Sequence, residues 1–138
     1  MMIRTDRLIL RPYEIEDFDD YLGMVGDPKV ANFLGGKPIP AEDAWNRLLR
    51  YAGHWTVFGY GMFAVIDRGS NRFLGQTGIA DFHRGLGNVF DHVGEATWVF
   101  TSNAHGRGYA YEAAAAVHQW YSYGEDRDRT VCLIEPDN

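Results

Sequence analysis

At 138 residues, 46% hydrophobic and 23% charged, the chain has the size and balance of one globular domain, which excludes disordered and fibrous classes. Its formal net charge of -6 argues against nucleic-acid binding, which needs clustered Lys and Arg against phosphates, and suits a cationic acceptor better. The lone cysteine, Cys132, cannot form an internal disulfide, and no apolar stretch is long enough to span a bilayer, so a cytoplasmic protein with no membrane partner is expected.

Leu8-Ile9-Leu10 is a short apolar run closed by Arg11-Pro12, and reads as a first strand. Over residues 14–25, Ile15, Phe18, Leu22 and Val25 recur at helical spacing, while Glu14, Glu16, Asp17, Asp19 and Asp20 complement the positive end of a helix. Asp27-Pro28 and Gly35-Gly36-Lys37-Pro38 bracket a short helical turn through Val30, Ala31, Phe33 and Leu34, and residues 32–40 read as an acceptor-side loop. After Pro40 a second helix is signalled by Ala41, Ala44, Trp45, Leu48, Leu49 and Ala52, ending near Gly53.

Residues 61–67 and 73–82 flank the turn composition Arg68-Gly69-Ser70-Asn71 and predict an antiparallel hairpin. A loop over 83–93 leads to a third antiparallel strand at 95–100. Residues 109–123 carry Ala110, Ala113, Ala114, Val117, Trp120 and Tyr121 on one helical face. A last apolar strand is predicted over 130–135, with Cys132 inside it as a buried small hydrophobe rather than a nucleophile.

Chemistry concentrates where the strand at 95–100 runs through Thr101-Ser102-Asn103-Ala104-His105-Gly106-Arg107-Gly108 into a helix. The first amides of a helix lack intrahelical acceptors and the dipole adds positive character, so a phosphate is favoured there. Gly106 and Gly108 permit positive φ and a close approach of the backbone to an anion. A Gly-x-Gly before a helix is also a common structural turn. Rossmann and Walker patterns fit less well, and Gly85-Leu86-Gly87-Asn88, between two antiparallel strands, reads as a decoy.

His105-Gly106-Arg107-Gly108-Tyr109-Ala110-Tyr111-Glu112-Ala113 resembles the acetyl-CoA signature of the GNAT superfamily, Gln/Arg-x-x-Gly-x-Gly/Ala, with Asn103, Gly106 and Gly108 on its fixed positions. Within the superfamily the similarity is to the ribosomal-protein N-acetyltransferase branch, which commonly reads Trp-Gly-Lys-Gly-Tyr-Ala where this chain substitutes His105 and Arg107. Thr5-Asp6-Arg7-Leu8-Ile9-Leu10-Arg11-Pro12, residues 27–38 and Ile134-Glu135-Pro136-Asp137-Asn138 resemble the same branch. The resemblance implies an α/β (α+β) fold over residues 1–138, with a mixed, mostly antiparallel sheet, flanking helices and a splayed parallel strand pair. Relatives continue into a further helix and strand that carry the usual leaving-group acid, so the domain is expected to be incomplete at its C-terminal end. A homo-oligomer would cover the apolar strand so exposed.

The resemblance further implies acetyl-CoA as co-substrate. Trp98, Val99 and Phe100 would border the splay where the pantetheine arm bonds to main chain, and Asn103, His105, Gly106, Arg107, Gly108, Tyr109 and Ala110 would surround the pyrophosphate. An Arg107 side chain in a first helical turn is commonly solvated, and His105 matters mainly through its amide. Transfer to an amine needs a neutral nucleophile, hence a carboxylate to take a proton. Glu95 ranks first, and also reads as a strand-end glutamate bonded to a neighbouring loop; Asp81 with His83 ranks second. The function implied is direct acetyl transfer to a primary amine, of a protein N-terminus or a small molecule, in a ternary complex, and the alternative is a CoA-binding regulatory or interaction module without turnover.

Overall fold

The computed structural model describes residues 1–32, 34–134 and 136. Its strands form one sheet in chain order: β1 (Ile3–Arg4), β2 (Leu8–Pro12), β3 (Met62–Asp67), β4 (Phe73–Ala80), β5 (Gly94–Phe100) and β6 (Thr130–Val131). Neighbours are antiparallel up to β5, and β5 and β6 run parallel. Four helices flank the sheet: α1 (Phe18–Val25), α2 (Pro28–Ala31), α3 (Ala41–Phe58) and α4 (Tyr109–Tyr121). This is the mixed α+β architecture expected.

Period-two alternation gives the sheet two apolar faces and so two cores. Leu8, Leu10, Phe63, Val65 and Phe100 pack with Ala113, Val117 and Tyr121 of α4. On the other face Met62, Ala64, Ile66 and Val99 meet Tyr21, Met24 and Val25 of α1 and Ala44, Leu48 and Tyr51 of α3. Glu95, Thr97 and Val99 share the parity of β5 that looks toward α1 and α3.

Four features depart from the sequence reading. The strand β1 is too short to leave a periodic signal, and pairs through Ile3 with Leu10. The segment after Glu14 opens as a 3-10 turn, Ile15–Asp17, before α1; Asp17 accepts from the Glu14 amide at 2.7 Å and from Arg11 at 2.7 and 2.9 Å. The helix α3 passes through Gly53 and stops only at Gly59, whose φ of 74° terminates it. A helical glycine costs about 1 kcal/mol relative to alanine. Past Gly53 the helix is tied down, because His54 Nδ1 donates to the Tyr60 carbonyl at 2.7 Å and Trp55 Nε1 to the Met62 carbonyl at 2.8 Å.

The fourth departure bears on function. Pairing between β5 and β6 covers only Gly94 with Thr130 and Glu95 with Val131. The strand predicted over 130–135 therefore ends at Val131, and Cys132 is exposed rather than buried. An apolar run shows that a segment favours a partner, not that one lies within reach. Beyond Glu95 this edge of β5 has no strand neighbour among the described residues, which is the splay expected of the parallel pair. Glu135, at the end of the predicted strand, and Phe33, in the predicted turn before Gly35, lie outside the described residues.

Candidate active site

After β5 the Thr101 amide bonds to the Leu74 carbonyl at 2.9 Å, and a 3-10 turn, Ser102–Ala104, leads into the glycine turn. Gly106 and Gly108 both sit at φ 76°, in the left-handed region that favours glycine. The Glu112 amide closes the first bond of α4, to the Gly108 carbonyl at 3.1 Å. The amides of Tyr109, Ala110 and Tyr111 precede it and have no acceptor within the helix. Of these residues, Tyr109 and Ala110 border a cavity of about 290 Å³. Trp98, Val99 and Phe100 form its strand wall, and His105, Gly106, Gly108, Tyr109 and Ala110 its turn wall. Eight of the ten residues predicted for the cofactor are thus brought together. Asn103 and Arg107 open instead on an adjoining groove of about 790 Å³ that also receives Asp19, Asp20 and Asp27.

The turn is braced from outside by the β1–β2 connection. The Glu112 carboxylate accepts from the Thr5 hydroxyl at 2.5 Å, from the Arg7 amide at 3.0 Å and from Arg7 Nε at 2.7 Å. Arg7 Nη1 in turn donates to the Arg107 carbonyl at 2.9 Å, and its guanidinium carbon stands 4.3 Å over the Tyr109 ring. Burial works against ionisation of Glu112, but the bonds from Thr5 and Arg7 outweigh it and hold its carboxyl below the usual value. Sequence reasoning did not assign this brace. An acid in the first turn of a helix is explained by the dipole, and nothing local signals a partner more than a hundred positions away. His105 turns its ring inward, with Nε2 donating to the Phe100 carbonyl at 3.0 Å, so the side chain secures the end of β5.

A second cavity, of about 730 Å³, lies on the α1 and α3 side of β5. It shares Leu34, Trp98 and Val99 with the first, so the two meet at the splay. Glu95 is in its wall, buried at 4% exposure, with both oxygens held by Arg84: Nε at 2.6 Å and Nη2 at 2.9 Å. That hydrogen bond holds the Arg84 guanidinium above its ordinary value. Deeper in, the Tyr13 hydroxyl donates to Gln76 Oε1 at 2.7 Å and Gln76 Nε2 to the Tyr51 hydroxyl at 3.5 Å. Burial pushes the Tyr13 and Tyr21 hydroxyls up, so both stay neutral donors.

Asp81 and His83 are not brought to this cavity. Asp81 Oδ1 accepts from the His83 amide at 3.0 Å, and the Asp81 amide donates to His54 Nε2 at 2.9 Å. Asp81 borders an adjoining pocket of about 80 Å³ that shares Arg50, Tyr51 and Phe82 with the second cavity. The other glycine pair, Gly85 and Gly87, sits in a loop whose amides at Leu86 and Gly87 bond to the Asp91 carboxylate at 3.3 and 3.0 Å.

A mixed, mostly antiparallel sheet with flanking helices, whose parallel pair parts beside a glycine turn, is the layout that the sequence resemblance implied. Residues 7–138 match the family described as the acetyltransferase (GNAT) domain, and the chain belongs to that family. It is 30% identical to a GNAT-family acetyltransferase from Bordetella pertussis, over 100% of this chain and 81% of that one, with a TM-score of 0.86. It is 27% identical to the uncharacterized N-acetyltransferase YnaD of Bacillus subtilis, covering 100% of this chain and 75% of the relative. The fold is also that of the ribosomal-protein-S5-alanine acetyltransferase of Vibrio fischeri, at 16% identity, a TM-score of 0.75 and 100% and 76% coverage. Among the described residues no helix is long and apolar enough to cross a membrane.

Proposed function

We propose that the protein transfers the acetyl group of acetyl-CoA to a primary amine, with both substrates bound at once on either side of the β5–β6 parting. The observation that carries this reading is the wall of Leu34, Trp98 and Val99 common to the two cavities. Acetyl-CoA would supply an activated thioester at that meeting point. The open amides of Tyr109, Ala110 and Tyr111, with Gly106 and Gly108 leaving the backbone bare, bind the pyrophosphate. Asn103 and Arg107 flank it from the adjoining groove. The free edge of β5 from Trp98 to Phe100 aligns the pantetheine arm, and main-chain amides near Val99 stabilise the oxyanion of the tetrahedral intermediate.

Glu95 acts as the base. An amine is protonated near neutral pH, and must lose one proton before its nitrogen bonds to the acetyl carbon and a second as the carbon–sulfur bond breaks. CoA leaves as a thiolate that takes a proton from solvent. With both oxygens on Arg84, Glu95 receives the proton through a water, and the guanidinium fixes the direction of the carboxylate. The same pairing favours a second reading, a CoA-binding module without turnover.

Calorimetric titration with acetyl-CoA, followed by a thiol-release assay over an amine panel, separates the two. Glu95→Gln is expected to lower kcat by about 100-fold, the low end for a general base, and to leave the acetyl-CoA Kd unchanged. Absence of acetyl-CoA binding would sink both readings. Binding without thiol release from any amine favours the module, and an undiminished kcat in Glu95→Gln removes Glu95 as the base.

A further inference from the structure

Among the described residues, the lining of the second cavity carries a charge opposite to that of the chain. Against a formal net charge of -6, its wall presents the guanidiniums of Arg47, Arg50 and Arg84, with Glu95 as the one carboxylate among the described residues lining it. Arg84 and Glu95 neutralise each other in their two-bond pair. Arg47 and Arg50, one turn apart on α3, have no carboxylate partner among the described residues.

Two of the guanidiniums share a ring. Arg50 and Arg84 place their central carbons 5.8 and 5.0 Å from the centroid of one ring, Phe82, and Arg50 lies 5.9 Å from that of Tyr51. Glu95 neutralises Arg84, which leaves Arg47 and Arg50 as exposed positive charge on this wall. An anion entering the cavity relieves the excess, and a planar guanidinium matches a carboxylate with two parallel bonds. A polycation would bring like charge to the same wall, so the expectation of a cationic acceptor, drawn from net charge, reverses at the cavity itself. Tyr21, Tyr51, Ile39 and Val25 supply an apolar lining between the arginines and the splay.

Resting on the reading of this cavity as the acceptor site, we propose that the acceptor is a primary amine that also bears a carboxylate, an amino acid in the broad sense. Arg47 and Arg50 hold the carboxylate while the amine reaches the parting beside Val99. The remote anion contact orients the nucleophile, so it improves kcat/KM rather than binding alone.

The test uses the 138-residue chain and matched pairs that differ by the carboxylate, leucine against 3-methylbutylamine and phenylalanine against 2-phenylethylamine, with spermidine as the polycation. Thiol release gives kcat/KM, and NMR titration of the N-acetylated form of each gives binding without turnover. The carboxylate-bearing member is expected to lead by about 10-fold or more, near 1.4 kcal/mol. The double variant R47Q/R50Q is expected to collapse that lead while acetyl-CoA affinity holds. Better turnover of the decarboxylated amines or of spermidine overturns the proposal, as does a lead that survives R47Q/R50Q. If no amine is acetylated, yet N-acetyl-leucine binds and loses affinity in R47Q/R50Q, the anion site stands and the transferase reading fails. If neither acid binds nor reacts, the proposal is overturned.

Discussion

The loop before β5 and the turn before α4 each contain a Gly-x-Gly with a left-handed backbone, Gly85 and Gly87 at φ 76° and 103° and Gly106 and Gly108 both at 76°. In the first, the Asp91 carboxylate takes the amides of Leu86 and Gly87, so the turn consumes its own donors. In the second, the chain enters a 13-residue helix whose opening amides border a cavity of about 290 Å³. Positive φ marks where a backbone bends sharply. Whether the bend binds anything depends on what its amides already meet.

The comparison breaks most directly at Gly108. Gly108 lines the groove, and valine there must hold a left-handed conformation that costs a residue with a Cβ about 1–2 kcal/mol and distorts the turn. Its Cβ would stand 3.5 Å from Arg7 Nη2, an ordinary contact, so the surroundings need not shift. Gly108→Val is expected to keep the circular dichroism of the parent, to melt a few degrees lower, and to bind acetyl-CoA about 100-fold more weakly, a loss near 2.7 kcal/mol. Parental affinity in a folded variant would remove the glycine turn from the cofactor site.

A smaller effect sharpens the comparison by asking what keeps the second turn open. The turn at Gly106 and Gly108 leaves its amides free because Glu112, Thr5 and Arg7 support it from behind. Glu112→Gln weakens that brace without touching the groove, and acetyl-CoA affinity is expected to fall about 3- to 10-fold, the scale of one impaired hydrogen bond. The carboxyl of Glu112 is held below its usual value, so its stabilisation is present above the ordinary glutamate range and lost as pH falls through the lowered folded value. The melting difference between parent and Glu112→Gln should therefore close on acidification. A difference that stays constant with pH would assign it to packing instead.

The proposed cofactor side was legible because one stretch of chain, 98–110, supplies its strand and turn walls, so spacing and glycine positions carry the signal. The acceptor side was not. Its arginines come from α3 and from the β4–β5 loop, and on α3 the apolar stripe of Ala44, Leu48 and Tyr51 makes Arg47 and Arg50 read as a solvated margin. Only the packing of α3 brings Arg50 to the Phe82 ring that Arg84 reaches from two residues away. Glu95 was placed correctly on the strand and its face, but its pairing with Arg84 depends on a loop conformation that no periodicity encodes. The strand order from β2 to β5 followed from alternation and turn composition, whereas the end of β6 depended on where its parallel partner stops pairing.

The smallest expected effect lies at the first turn. Burial pushes the Asp91 carboxyl up, but the bonds from the amides of Leu86, Gly87 and Gly85 outweigh it and leave it below the usual value. Order in this loop is thus present above the ordinary aspartate range and lost as pH falls through the lowered folded value. Asp91→Asn keeps one acceptor oxygen and loses the charge, so weaker protection from amide exchange at Leu86 and Gly87 is expected, with protection factors near those of the parent in acid. Acetyl-CoA affinity should stay within about 2-fold, well under 1 kcal/mol, because neither Leu86 nor Gly87 borders the groove beside Gly108. Paired exchange and titration measurements on parent and variant test both halves of this expectation. If Asp91→Asn weakened acetyl-CoA binding as much as Gly108→Val, the distinction between a turn that consumes its amides and one that offers them would fail, and the Gly85–Gly87 loop would have to be counted in the cofactor site.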